Sequence, residues 1–288
     1  MTASIVNYNF NASAASTLTF MASLPTSLVA SNKLYMFLAT SVNSATYSIG
    51  TPAGWAVEAD LRNNNAASRP RLTVLSKTSD GSEGSSVVLS PVGGTPTLVW
   101  GQITVQVQDH NGKDVDGIAR NTTDSTTHDS PSVITTVNDC LVLRVNTSLT
   151  NLTTDVSAPP TLVHGFANGT TVLYIGVSQE TKASAGATGA ATWTFNDPDS
   201  AVSYTIAIKS NALGLTISTF SVDNQVYSSE IDAEIVGTGL SAGQTITYKG
   251  VACTSKSASG STSIKVTLPD FWTNNIKLGV QHELKVTD

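Results

Sequence analysis

Apolar and polar residues alternate along most of the chain. Ile103, Val105 and Val107 fall on one side of an extended segment, with Thr104, Gln106 and Gln108 on the other. The same period sets Leu141, Leu143 and Val145 against Val142, Arg144 and Asn146, and Ile264, Val266 and Leu268 against Lys265 and Thr267. A period of two sends alternate side chains to opposite faces of a strand, so these segments are predicted to be half-buried strands. Clusters of Gly, Pro, Asn and Asp break the runs at the intervals of a β-sandwich. No long window carries the 3.6-residue period of an amphipathic helix. The Ala-rich piece from Ala183 to Ala191 contains Gly186 and Gly189 and reads as a loop.

The strand pattern repeats. A first copy spans about residues 17–109. It runs through the apolar segment Asn32 to Ala39, the corner Thr51-Pro-Ala-Gly-Trp55, a strand-turn-strand from Arg71 to Leu89 read as a long hairpin, and a closing strand Trp100 to Val107. A second copy spans about residues 129–210 in the same order: Asn138 to Val145, Ala158 to Leu162, Thr171 to Phe195, then Ser203 to Ile208. Neither copy has enough strands to bury both faces of a sheet alone, so the expectation is one sandwich in which each copy contributes a related half. Asp109 to Asp129, polar and Gly-containing, reads as the connector. Residues 1–16 lack a pattern of their own and read as an N-terminal arm. From about Leu213 the pattern changes, with strands expected at Ile231 to Leu240, Thr245 to Ala252, Ser263 to Pro269 and Gly279 to Val286. The predicted fold is all-β: a duplicated antiparallel, jelly-roll-like β-sandwich over residues 17–211, then a small immunoglobulin-like sandwich over 212–288.

Composition narrows the function classes. Of the 288 residues 12% are charged, against about 25% in an average soluble protein. The net charge is −6 and no basic run occurs, which argues against direct nucleic-acid binding. No stretch approaches the ~20 apolar residues of a membrane helix, and Met1 to Phe10 lacks the features of a signal peptide. Synthesis in a cytoplasm, or release from one by lysis, is therefore expected. The two cysteines, Cys140 and Cys253, lack metal or redox spacing and are expected as free thiols.

Candidate chemistry is sparse. His110, His128, His164 and His282 form no zinc-protease spacing, and no G-x-S-x-G elbow is present. Asp109, Asn111, Asp114 and Asp116 offer oxygen donors around Gly112 that could wrap a calcium ion, although the order and terminal Glu of an EF-hand are missing. The competing reading is a hydrogen-bonded Asp turn. Trp100 and Trp193 lie in strand patterns and are expected in the core, whereas Trp55 and Trp272 fall at a turn and in a loop and are the candidate surface-binding aromatics. No catalytic residue and no cofactor motif emerge, so the expectation is a protein that is not an enzyme.

Asn32 to Ala39, Pro52-Ala-Gly-Trp55, Leu72 to Leu89 and Val107 to Asp116, with Gly186 to Trp193 in the second copy, resemble a two-copy domain of bacteriophage virion structural proteins. The second copy departs from it at Pro160-Thr-Leu162, which lacks the Gly-Trp pair, and Asn32-Lys33 replaces Gly-Asp. Gly237-Thr-Gly-Leu240, Tyr248 to Ala252 and Val266 to Pro269 resemble the immunoglobulin-like modules of IPT/TIG type. The resemblance implies a virion protein, made in the host bacterial cytoplasm, that decorates or cements the capsid or forms an accessory part of the tail or fibre. Its expected partners are major capsid or tail proteins and further copies of itself. The alternative is a carbohydrate- or cell-surface-binding adhesion module, with a host-surface glycan as ligand.

Overall fold

The computed structural model describes residues 2–13, 19–42, 47–63, 69–93, 99–149, 157, 159, 161–168, 173–211, 216–222, 231–238, 245–248, 251–259, 263–268 and 284–287. All regular structure among them is β-strand. The chain divides into two compact units, Met1–Asn211 and Ala212–Asp288.

The first unit contains β1 (Ser4–Ser13), β2 (Phe20–Ser23), β3 (Lys33–Val42), β4 (Ser48–Ile49), β5 (Ala56–Arg62), β6 (Arg69–Thr78), β7 (Ser86–Leu89), β8 (Pro91–Val92) and β9 (Val99–Gln108). These are followed by β10 (His110–Ser130), β11 (Ile134–Thr135), β12 (Cys140–Ser148), β13 (Leu162–Asn168), β14 (Leu173–Lys182), β15 (Gly186–Ala187) and β16 (Ala191–Ser210). One five-stranded sheet has the order β1-β9-β3-β6-β5, the other β10-β16-β12-β14-β13. Every neighbouring pair is antiparallel. The two orders coincide when β1, β3, β5, β6 and β9 are matched with β10, β12, β13, β14 and β16. The repeat in sequence is thus a repeat of topology, with one sheet per copy.

Alternation explains why the sheets face each other. Tyr35, Phe37 and Ala39 of β3 and Ile103, Val105 and Val107 of β9 point inward, against Leu141, Leu143 and Val145 of β12 and Tyr204, Ile206 and Ile208 of β16. All of these are buried, and each large one contributes roughly 1.5–3 kcal/mol by leaving water. Strand β9 packs on β14, and its counterpart β16 packs on β6. That reciprocity is the signature of a two-fold relation between the copies.

The opposite face of each sheet carries a lid. In the first copy β2 pairs with β7 and β4 with β8. Phe20, Ala22, Leu24, Tyr47, Ile49 and Leu89 bury the outer side chains Met36, Leu38, Leu75 and Trp100. In the second copy β11 pairs with β15, and the outer face breaks into two smaller apolar clusters, Val133, Cys140, Val142 and Ala207, and Tyr174, Trp193 and Phe195.

Several expected elements differ. The stretch read as an arm holds β1, paired with β9 from Ser4↔Gln108 to Ser13↔Trp100. Asn is poorly represented in strands, and Asn7, Asn9 and Asn11 obscure the alternation of Val6, Tyr8 and Phe10. The expected connector is β10, an edge strand of the second sheet paired along β16. The expected hairpin from Arg71 to Leu89 is divided between layers: β6 pairs with β3 and β5, and β7 with β2. Its turn is folded by Glu83, which accepts from Asp80 N, Gly81 N and Ser79 Oγ. The Ala183–Ala191 loop includes the two-residue strand β15.

The second unit has β17 (Thr216–Val222), β18 (Ile231–Thr238), β19 (Thr245–Tyr248), β20 (Val251–Ala252), β21 (Thr254–Ser259), β22 (Ser263–Leu268) and β23 (Leu284–Thr287). A four-stranded sheet has the order β17-β18-β22-β21, and a three-stranded sheet the order β20-β19-β23. Lettered in chain order with the two-residue β20 set aside, the four-stranded sheet has the order A-B-E-D, which immunoglobulin sandwiches also use.

Two glycines facing each other across β13 and β14 make room for an aromatic ring. A Cβ on Gly176 would collide with Tyr174 OH and lie 2.8 Å from Trp193 Cζ3, and one on Gly165 would lie 2.6 Å from the same hydroxyl. Gly176→Ala is expected to lower unfolding stability by about 1–3 kcal/mol through overpacking. Gly84→Ala, with nothing near the added methyl, should leave the urea midpoint unchanged.

Candidate functional site

The two sheets meet along two lateral seams, β1 with β13 and β5 with β10, which the two-fold relation makes equivalent in position. Their chemistry has diverged.

At the first seam, Tyr8 and Phe10 are register partners of Val105 and Ile103 and therefore point to the inner side. Because β1 is an edge strand, they remain 40% and 45% exposed. His164 and Phe166 of β13 meet them. Phe10 stacks on the His164 ring at 3.9 Å between centroids, Tyr8 lies 5.5 Å from it, and Phe166 is 5.5 Å from Phe10. Gly101 leaves the space that Phe166 fills, since a Cβ there would lie 3.1 Å from its ring. His164 Nε2 is buried and has no hydrogen-bond partner.

The free side of β1 is closed by its own side chains. Tyr8, Phe10 and Ala12 each donate their backbone N–H to Oδ1 of the preceding asparagine at 2.8 Å. The Nδ2 groups of Asn7, Asn9 and Asn11 donate to the carbonyl oxygens of Thr26, Leu24 and Met21 at 2.7, 2.9 and 3.0 Å. A strand edge normally offers such N–H groups to another chain; here they are occupied.

The second seam is ionic. Lys113 Nζ of β10 lies 2.7 Å from Glu58 Oε2 of β5 and 3.3 Å from Asp116 Oδ2. Ser76 Oγ donates to Glu58 at 2.7 Å, and the Tyr204 hydroxyl to Asp116 at 2.7 Å. Farther along, Arg120 Nε donates to the Arg62 carbonyl, and Asn63 Nδ2 to those of Asn121 and Ala201. Burial, and then the hydrogen bond to Asp116, push the Tyr204 phenol far above its ordinary value. Both carboxylates lie on strands; Glu58 is engaged across the seam by Lys113, and Asp116 within the second sheet by Lys113 and Tyr204.

The candidate calcium donors do not converge. Asp109 sits at the bend before β10 with φ of 52°, its carbonyl accepting from Asn211 N. Asn111 is exposed. Asp114 accepts from Thr136 N at 2.7 Å and Thr136 Oγ1 at 2.5 Å, on the lid side. Asp116 faces Tyr204 and Lys113 instead. Among the described residues no group of three or more His, Cys, Asp or Glu is placed to hold a metal ion.

Of the candidate aromatics, Trp55 is half-buried against the outer core of the first copy, together with Leu28 and Val87. It follows a turn closed by Trp55 N to Pro52 O at 3.1 Å, with Gly54 at φ of 78° supplying the left-handed position. Trp272 lies outside the described residues. Trp100 and Trp193 are buried. Among the described residues the exposed aromatics are thus Tyr8 and Phe10, and the sequence signal for them is the alternation Asn7-Tyr-Asn-Phe-Asn11. Cys140 is a buried free thiol, and Cys253 is half-buried.

Compared with known protein families, curated proteins and solved structures, the chain matches none.

The two seams titrate in different windows. Burial raises the Glu58 carboxyl, but the hydrogen bonds from Lys113 and Ser76 and the Lys113 charge outweigh it and hold the group below its ordinary 4.5. Its stabilising contribution is therefore complete above pH 4.5 and lost as pH falls through the lower folded value. Burial holds His164 below its ordinary 6.5, and His128 likewise. Their contribution is complete above pH 6.5 and declines as pH falls through their folded values. Urea unfolding across this range should show both losses. Glu58→Gln should flatten the lower one, and His164→Phe should reduce the upper one while His128 maintains the rest.

Proposed function

We propose that the chain is a non-enzymatic structural protein of a bacteriophage virion, exposed on the particle, where it decorates or cements the capsid or forms an accessory part of the tail or fibre. The observation that carries this reading is the use of the first unit's charged groups. Lys113, braced by Asp116 of its own strand, ties to Glu58 of the other sheet, Arg71 binds Asp60 and the Tyr47 carbonyl, and Arg144 binds Glu180 and the Thr188 and Gly189 carbonyls. Charges committed in this way build a scaffold. The motif resemblance supplies the virion context, and the immunoglobulin-type strand order of the second unit suits an appended recognition module. Partners would be capsid or tail proteins and further copies of the chain. Repetition on a symmetric particle would make weak single contacts durable. Residues 1–16 hold an edge strand, so attachment is assigned to the surfaces of the folded units.

Particles purified from infected cells, labelled with antibody against the second unit and imaged, are expected to show regular surface labelling. Absence of the chain from washed particles would overturn the assignment.

A second reading, binding of a host-surface glycan, is favoured by one observation. Tyr8 and Phe10 form a half-exposed aromatic strip beside the unpartnered His164 Nε2, and sugars stack on aromatic rings while hydrogen-bonding at their rims. On this reading a glycan array gives discrete hits that Tyr8→Ala abolishes. An array without hits rejects it.

A further inference from the structure

The two lids are equivalent in topology and unlike in what they cover. The first plants Phe20, Ala22, Leu24 and Leu89 in a continuous apolar cluster, with β2 and β7 paired from Phe20↔Leu89 to Ser23↔Ser86. The second pairs only Ile134 with Ala187 and Thr135 with Gly186. Its buried apolar side chain is Val133, and Ile134 faces outward at 70% exposure.

Beside the small apolar cluster of Cys140, Val142 and Ala207, the sheet face beneath the second lid carries a polar row. Arg144 has Thr205 as its register neighbour on one side and Ser178 on the other. The first copy holds Leu38 at that place, between Gln102 and Thr73. In the next row Asn146 lies between Ser203 and Gly176. Arg144 Nη1, Asn146 Oδ1, Ser178 Oγ and Thr205 Oγ1 are buried on this face without a hydrogen-bond partner, as is Tyr174 OH against Trp193 and Phe195. The first copy also leaves Thr40 Oγ1, Gln106 Oε1 and Tyr47 OH unpartnered, but its lid is held down by far more apolar burial than Val133 gives the second.

A buried polar atom without a partner regains its hydrogen bond as soon as water reaches it. What lies under the second lid therefore favours opening, and what lies under the first favours closure. Arg144 Nη2 latches the second lid through the carbonyl oxygens of Thr188 and Gly189, at 3.2 and 3.0 Å. Gly189 is exposed, so water can replace this latch from outside.

We propose that the second lid, residues 131–139 with 183–190, opens as a local unit while the two-sheet core stays intact, uncovering a hydrogen-bonding shelf formed by Arg144, Asn146, Ser178 and Thr205. The first lid is the built-in control, because it occupies the same topological position in the same molecule.

Hydrogen exchange on the full chain reads this directly. The reporters are the amides of Thr188, which donates to Val133 O, of Gly186, which donates to Thr135 Oγ1, and of Val133, which donates to Thr188 Oγ1. The control amides are Leu24, which donates to Ser85 O in the first lid, and those of β12. Second-lid amides are expected to exchange at least about tenfold faster than both controls, by openings that low denaturant does not accelerate. Equal or slower exchange overturns the proposal. The double variant Ser178→Ala with Thr205→Val removes two unpartnered hydroxyls without touching the Arg144 latch. It should slow second-lid exchange by about tenfold, and an unchanged rate would refute the polar shelf as the cause. If the variant does not fold, the comparison of lids within the native chain still decides.

Discussion

The first unit depends on the burial of one sheet's inner face against the other's. Tyr35, Phe37, Ile103 and Val105 have no apolar cover within their own copy, and neither do Leu141, Leu143, Tyr204 and Ile206 in theirs. A single five-stranded sheet with a small lid would leave this surface in water, at a cost far larger than the net stability of a domain of this size. Each copy is thus the other's missing layer. The lids, seams and edge caps are arranged around that contact.

A two-fold contact between identical chains must use each of its interactions twice. Covalent joining of the copies lifts that requirement, and the seams show the result. One became a salt-linked closure around Lys113, the other an aromatic packing around His164. The outer faces diverged in the same way. Leu38 in the middle of an apolar cluster corresponds to Arg144 in the middle of a polar row. Duplication kept the strand order, which the inner core enforces, and released the positions that the core does not touch.

Strand alternation and the repeat were readable in the chain because inner-face residues alternate strictly and recur in the same order. The edge strands were not. In β1 the asparagines hid the apolar alternation, and β10 carries polar residues on both faces because much of it is open to solvent on each side. The expected hairpin failed because local turn chemistry at Ser79 to Gly84 does not say in which layer the following strand will pair. The seams were illegible for a further reason. Glu58 and Lys113, or Phe10 and His164, come together only through the packing of two sheets, and no local pattern marks them. The calcium reading took proximity in sequence for proximity in space, whereas the register shift between Lys113 and Val115 interrupts the alternation of β10, and Asp114 and Asp116 meet different neighbours.

The asparagine ladder of β1 bears on how many copies of such a molecule can be crowded together. An exposed strand edge at high local density seeds runaway growth, each added molecule offering the next a fresh edge. Asn7, Asn9 and Asn11 end that series at its first member by turning the strand's outward amides into internal bonds. The ladder works as a chain terminator for sheets, and it lets a β-rich protein be packed densely while each molecule stays discrete.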